Sequence, residues 1–219
     1  IGGVYPPGST YKMVTALAAL DSKAIDPWTV LPCNGSIELG DIKFHCWLKG
    51  GHGGLAVQSA IAASCDCFFY ECARRAGVDR ISEMANRLGF GRTSELGLPG
   101  ESAGIQPSRQ WKQEKYSKPW QQGDTFNLGI GQGYMNATPL QLAIMTARIA
   151  NGGYEVQPNL LLAKALPREE LAPPKVRTKP NAPSLRLDPK HLAIIHQGMS
   201  DVVNSGAGTA NALRFDSKT

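Results

Sequence analysis

Residues 4–20 read VYPPGSTYKMVTALAAL. Pro6, Pro7 and Gly8 stop the chain before it. From Ser9 onward Met13, Val14, Leu17 and Leu20 recur at three- and four-residue spacing, which predicts an apolar helix over 9–20. Ser9 and Lys12 stand three apart at its start, on one face. A serine hydroxyl is a weak nucleophile unless a neighbouring base takes its proton. An amine is such a base only where burial and the positive end of a helix favour its neutral form. A Ser-x-x-Lys helix start bound for the core supplies both conditions, and it leaves the Ser9 amide free to donate to an oxyanion. Alone, Ser-x-x-Lys arises by chance about once in a chain of this length. Its meaning therefore depends on its company.

The bulk numbers narrow the field. With 219 residues and 42% hydrophobic content, the chain suits one domain with a sizeable core. The net charge is +5, and the basic residues are scattered. Their one loose group, Lys112, Lys115 and Lys118, reads as a solvated face rather than a nucleic-acid surface. No apolar run approaches the roughly 18 residues of a membrane span, and LQLAIMTARIA is broken by Arg148. Residue 1 is Ile rather than Met and no leader is visible, so the chain reads as an internal fragment. Five cysteines, an odd count, exclude a fully paired disulfide framework.

Turn residues punctuate 24–54, with a hairpin expected around Gly40 and Asp41 inside SIELGDIKFHCW. Residues 56–76 read as two helical pieces broken near Ser64, the second stopping at Gly77. DRISEMANRLGFG reads as an amphipathic helix ended by glycine, and 97–127 as loop. Thr138 caps a helix with Pro139 at its first position and Asn151 at its end. Asp188 and Pro189 open another in the same way. Between them, 155–187 holds six prolines and reads as a long exposed excursion.

Two further pieces accompany Ser9 and Lys12. Ser64, Cys65 and Asp66 follow a helical stretch, and Lys218 with Thr219 ends the chain. The order Ser-x-x-Lys, Ser-x-Asn (or Asp), Lys-Thr-Gly is the signature of penicillin-binding proteins and serine β-lactamases. The segments YPPGSTYK, WLKGGHG, SCDCFFYE, KPWQQGDT and GIGQGYMNATPLQLA, in that order, resemble the transpeptidase domain of class B penicillin-binding proteins of the elongation branch. The resemblance implies an α/β (α+β) transpeptidase fold, present as a mainly helical piece with most of the central sheet outside residues 1–219. It implies a D,D-transpeptidase that cross-links peptidoglycan stem peptides and is acylated by β-lactams. Ser9 would be the acylated nucleophile, Lys12 its general base and Ser64 a proton relay to the leaving amine. Asp66 would hold neighbouring side chains and substrate backbone, and Lys218 and Thr219 would bind the substrate carboxylate. A membrane-embedded glycan polymerase is the implied partner, with the domain in the periplasm on an inner-membrane anchor. A β-lactamase, a D,D-carboxypeptidase or a β-lactam sensor shares the scaffold. No ExxLN string supports a class A lactamase, and WLKGGHG argues against a sensor. Asp66 stands where many relatives have Asn, and an ionised aspartate accepts but cannot donate. The third motif stops at Thr219, before its glycine. The glycines of GIGQGYMNA lack the strand, loop and Lys-Ser/Thr context of a P-loop; Gln132 and Thr138 read as structural.

Cys33, Cys46, His52 and Cys65, with 12, 5 and 12 residues between them, form a second constellation. Three thiolates and an imidazole suit tetrahedral zinc with no open position, hence a structural ion. In the elongation branch these positions are commonly metal-ligand types. A disulfide in an oxidising compartment and buried free thiols are the alternatives. Cys67 and Cys72 read as buried helix residues, and His45, His191 and His196 have no partner that marks them as ligands.

Overall fold

The computed structural model describes residues 1–159 and 182–214. A 3-10 turn, Gly8–Tyr11, leads directly into helix α1, Lys12–Asp21. Every α1 residue from Lys12 to Leu20 is buried. A helix apolar on all sides belongs at the centre of its domain, and α1 takes that place. Against it lie α3, Asp66–Leu88, and α7, Pro189–Asn204, and α7 also covers α2, Val57–Ala62. The described strands make two small antiparallel ladders. β1, Leu31–Cys33, pairs with β4, Gly53–Leu55, and β2, Ser36–Leu39, pairs with β3, Ile42–His45. The second ladder turns between Leu39 and Ile42 as the sequence predicts. Among the described residues no helix is long and apolar enough to cross a membrane.

Local chemistry places most boundaries. Thr138 Oγ1 accepts from the Gln141 amide and Gln141 Oε1 from the Thr138 amide, so a reciprocal capping box opens α6, Pro139–Ala150. Asp188 caps α7 through the Lys190 amide at 2.8 Å. The break near Ser64 is present, and so is the stop at Gly77, whose non-helical φ of 78° and ψ of 160° kink α3 into two helical segments. Gly89, at φ 108°, closes α3 in a left-handed cap.

Three expectations change. Residues 97–127 are not loop throughout: α4, Arg109–Tyr116, and α5, Gln122–Gly129, lie within them. Ser108 Oγ caps α4 by accepting from Trp111 N, and Asp124 Oδ2 accepts from Gln121 N at 2.7 Å to start α5. These caps, not an apolar stripe, define both helices. Lys112 is not on a solvated face. It is 4% exposed, paired with Asp124 and set over the rings of Tyr134 and Trp120. The exposed excursion does not reach its C-terminal end, because Leu185 and Leu187 are buried in the core; its residues 160–181 lie outside the described residues.

The turn that carries Ser9 is held by the chain after α5. Gly8 N donates to Gly131 O at 2.9 Å. Gly131 has φ +69°, and a Cβ there would lie 2.3 Å from Gly8 O and 2.6 Å from Tyr11 Cβ. Gly131→Ala is therefore expected to cost about 3 kcal/mol, summing a left-handed backbone and an overpacked contact. A fall in the denaturant midpoint at unchanged slope checks it.

Candidate active site and metal cradle

Ser9 sits exposed on the 3-10 turn, and Lys12, the first residue of α1, is 1% exposed. The break between α2 and α3 brings Ser64 and Asp66 to them. Ser64 is in the left-handed region at φ 49°, its amide bonded to Ile61 O, and Cys65 N is bonded to Ala60 O. This turn aims the Ser64 side chain at α1. Lys12 Nζ donates to Ser64 O at 2.8 Å, to Ser64 Oγ at 3.0 Å and to Asp66 Oδ1 at 2.7 Å. Three donors thus meet three acceptors, the full capacity of an ammonium. Lys12 Nζ also lies over the Phe69 ring, 5.6 Å from its centroid. Ser64 Oγ in turn donates to Ser9 Oγ at 3.0 Å. The hydrogen-bond chain runs Ser9, Ser64, Lys12, Asp66, with Ser64 between nucleophile and amine rather than beside them.

Beneath the turn, Tyr11 is fully buried and donates to Gln106 Oε1 at 3.0 Å; burial pushes its phenol well above the usual range. Above it opens a cleft of about 280 Å³. Ser9, Lys12 and Ser64 form its polar wall, and Ile61, Met145 and Met199 its apolar one. Lys218 and Thr219 lie outside the described residues.

The second constellation also assembles. The ligand atoms of Cys33, Cys46, His52 and Cys65 all lie within 4.8 Å of one another. His52 Nδ1 faces the sulfurs of Cys33 and Cys46, each at 3.6 Å. None of the five cysteines is in a disulfide. Burial opposes the Cys33 thiolate, but the Gly35 amide and His52 outweigh it and bring that thiol down to about 6; burial pushes Cys65 and Cys67 up. Zinc–sulfur bonds of ~2.3 Å place sulfurs roughly 3.8 Å apart around a tetrahedral ion, so these donors fit one after a contraction of at most about 1 Å. The geometry makes a closed cradle of four protein donors at the N-terminus of α3.

Cys67 and Cys72 are buried, and His196 Nε2 meets Ile149 O at 2.8 Å. Thr138 is structural, as its capping role requires. Trp47 opens the WLKGGHG segment, but the sequence assigns it no role in the site. Its backbone N–H donates to Asp66 Oδ2 at 3.0 Å, and its indole N–H donates to Ala63 O at 3.0 Å and Ser64 O at 3.1 Å. Its place in WLKGGHG, next to Cys46, is the signal in the sequence.

A serine joined through a second serine to a buried, carboxylate-paired lysine is an arrangement with the parts that serine nucleophilic catalysis requires. The profile described as Penicillin binding protein transpeptidase domain matches residues 1–219, and the chain belongs to that family. It is 37% identical over 212 residues to the peptidoglycan D,D-transpeptidase MrdA of Escherichia coli K12, covering 95% of this chain and 33% of that protein. With MrdA of Acinetobacter baumannii the identity is 37% over 214 residues, 95% of this chain and 31% of the relative. The chain thus spans about a third of the length of these relatives. Among solved structures, Pseudomonas aeruginosa PBP2 in complex with WCK 5153 superposes with a TM-score of 0.84 at 40% identity, covering 96% of this chain and 47% of that one. Helicobacter pylori PBP2 in complex with MreC gives 0.86 at 32% identity, covering 99% and 38%. The fold is that of the penicillin-binding transpeptidases, and the described residues are its helix-rich part.

Proposed function

We propose that this chain carries the acylating machinery of an elongation-type peptidoglycan D,D-transpeptidase. The observation that supports this best is the continuous hydrogen-bond chain from Ser9 through Ser64 to Lys12 and Asp66. With Lys12 as the neutral amine, two N–H groups serve Ser64 O and Asp66 Oδ1, and a lone pair faces Ser64 Oγ. Ser64 then donates to Lys12 and accepts from Ser9. As Ser9 Oγ attacks the carbonyl carbon of the penultimate D-alanine, its proton passes to Ser64 Oγ, whose own proton passes to Nζ. The tetrahedral intermediate collapses, the peptide C–N bond breaks and the leaving amine takes a proton back along the same chain, so D-alanine departs whole. The amine of a second stem peptide then attacks the Ser9 ester; as the new C–N bond forms and the C–O bond to Ser9 breaks, the amine's proton passes along the same chain to Ser9 Oγ. A β-lactam acylates Ser9 by the same attack, but its ring nitrogen stays tethered to the adduct.

Lys218 and Thr219 hold the substrate carboxylate in this reading. The Cys33, Cys46, His52 and Cys65 cradle binds a structural zinc that fixes the Ser64–Asp66 turn. The catalytic domain works in the periplasm on an inner-membrane anchor. Similarity to Helicobacter pylori PBP2 bound to MreC and to a chain of a peptidoglycan synthase complex that coordinates polymerization and crosslinking supports an assembly partner, here a membrane-embedded glycan polymerase.

Mass spectrometry of the intact protein mixed with penicillin tests the reading. One adduct per chain is expected at Ser9, stable over hours and absent from Ser9→Ala. Rapid loss of the adduct would make the protein a β-lactamase instead.

A further inference from the structure

We propose that Trp47 is a positioning residue for acylation, holding the Ser64 peptide and the Asp66 carboxylate through acceptor positions that Lys12 leaves open. The two residues share acceptors. Ser64 O receives Lys12 Nζ at 2.8 Å and the Trp47 indole N–H at 3.1 Å. Asp66 receives Lys12 Nζ on Oδ1 at 2.7 Å and the Trp47 backbone N–H on Oδ2 at 3.0 Å. A carbonyl and a carboxylate each offer a second acceptor position, and Trp47 fills both. Lys12 alone would leave the carboxylate free to turn about its own axis and carry the ammonium with it. With Oδ2 tied to backbone, that rotation is blocked.

The indole does a second thing. Ser64 is a non-glycine residue at φ 49°, a conformation that persists only where its surroundings over-determine it. The indole N–H also reaches Ala63 O at 3.0 Å, so one donor bridges the carbonyls before and after the Ser64 Cα. It thereby opposes relaxation of the turn that aims Ser64 Oγ at Ser9. Trp47 is itself fixed from the other direction. It follows Cys46, whose amide donates to Gly35 O at 2.9 Å, and its ring lies edge-on to His52 with centroids 5.2 Å apart. At 56% exposed it is no core residue, so packing alone does not explain its geometry. Trp47 links the cysteine–histidine cradle to the catalytic turn through side-chain and main-chain donors together.

The inference rests on Ser9 being the acylated serine. The test is stopped-flow acylation of the intact protein by a fluorescent penicillin, with the active fraction titrated for each variant. Trp47→Phe keeps a ring against His52 and the backbone donor but removes the indole N–H. It is expected to lower the acylation rate constant per active site about tenfold, the worth of one lost hydrogen bond. The non-covalent dissociation constant should move less than twofold and zinc content should stay unchanged. Trp47→Ala should lower the rate constant further. A Phe variant that acylates at the parental rate constant overturns the inference, as does one that loses only active fraction. Ser9→Ala separates the two readings: if it still labels, the functional reading fails; if it does not and Trp47→Phe is unaffected, only the role of Trp47 falls.

Discussion

Lys12→Met in the intact protein is expected to slow penicillin acylation of Ser9 by about 10³-fold, within the usual range for removing a positioned general base. Methionine fills the space in α1 and is apolar where Lys12 is 1% exposed, so the helix keeps its packing. What goes is the proton acceptor at the end of the Ser9–Ser64 chain, and with it the only cation paired to Asp66 among the described residues. Lys12→Arg separates these losses. Arginine restores a positive charge beside Asp66 but cannot release its proton, so it too should acylate slowly while recovering stability lost in the Met variant. Uptake of radiolabelled penicillin by Lys12→Met at the parental rate would falsify the mechanism.

Removing metal should have the next largest effect. At a thousandfold excess of zinc over its dissociation constant, a native-state ion contributes about 4 kcal/mol, which for a domain of this size is roughly 10 °C in the unfolding midpoint. A tight chelator is expected to release one zinc per chain and to lower the midpoint by that amount, reversed by adding zinc back. Cys33→Ser should weaken binding, since it replaces the sulfur whose ionisation the Gly35 amide and His52 already favour. A protein purified without zinc, with a midpoint insensitive to chelator, would return the four donors to buried thiols beside a histidine.

How far the sequence could be read depended on where each signal lay. Local signals were legible. Thr138 with Pro139, Asp188 with Pro189 and Gly89 set their helix ends as expected. Ser9, Lys12, Ser64 and Asp66 do converge, and so do the four metal-ligand types. Signals made by tertiary contact were not legible. Helix α4 is polar on nearly every side and buries only Lys112, so no apolar period announces it. Lys112 reads as solvated until α5 brings Asp124 and the rings of Trp120 and Tyr134 close around it. Trp47 is nineteen residues from Asp66, and no spacing rule joins them. The insertion of Ser64 between Ser9 and Lys12 likewise depends on a left-handed residue that composition does not betray.

The contacts of the site also bear on how the molecule is made. Ser64 Oγ meets Ser9 across 55 positions of chain, and Asp66 meets Lys12 across 54. Such pairings form only once distant segments have closed on one another, late in a search governed by topology. A collapsed chain with its helices in place but that closure incomplete has no activated serine. On the proposed function, antibiotic capture during refolding would serve as a clock for the last long-range step, and a newly synthesised chain is expected to take up label only after its helices have already formed.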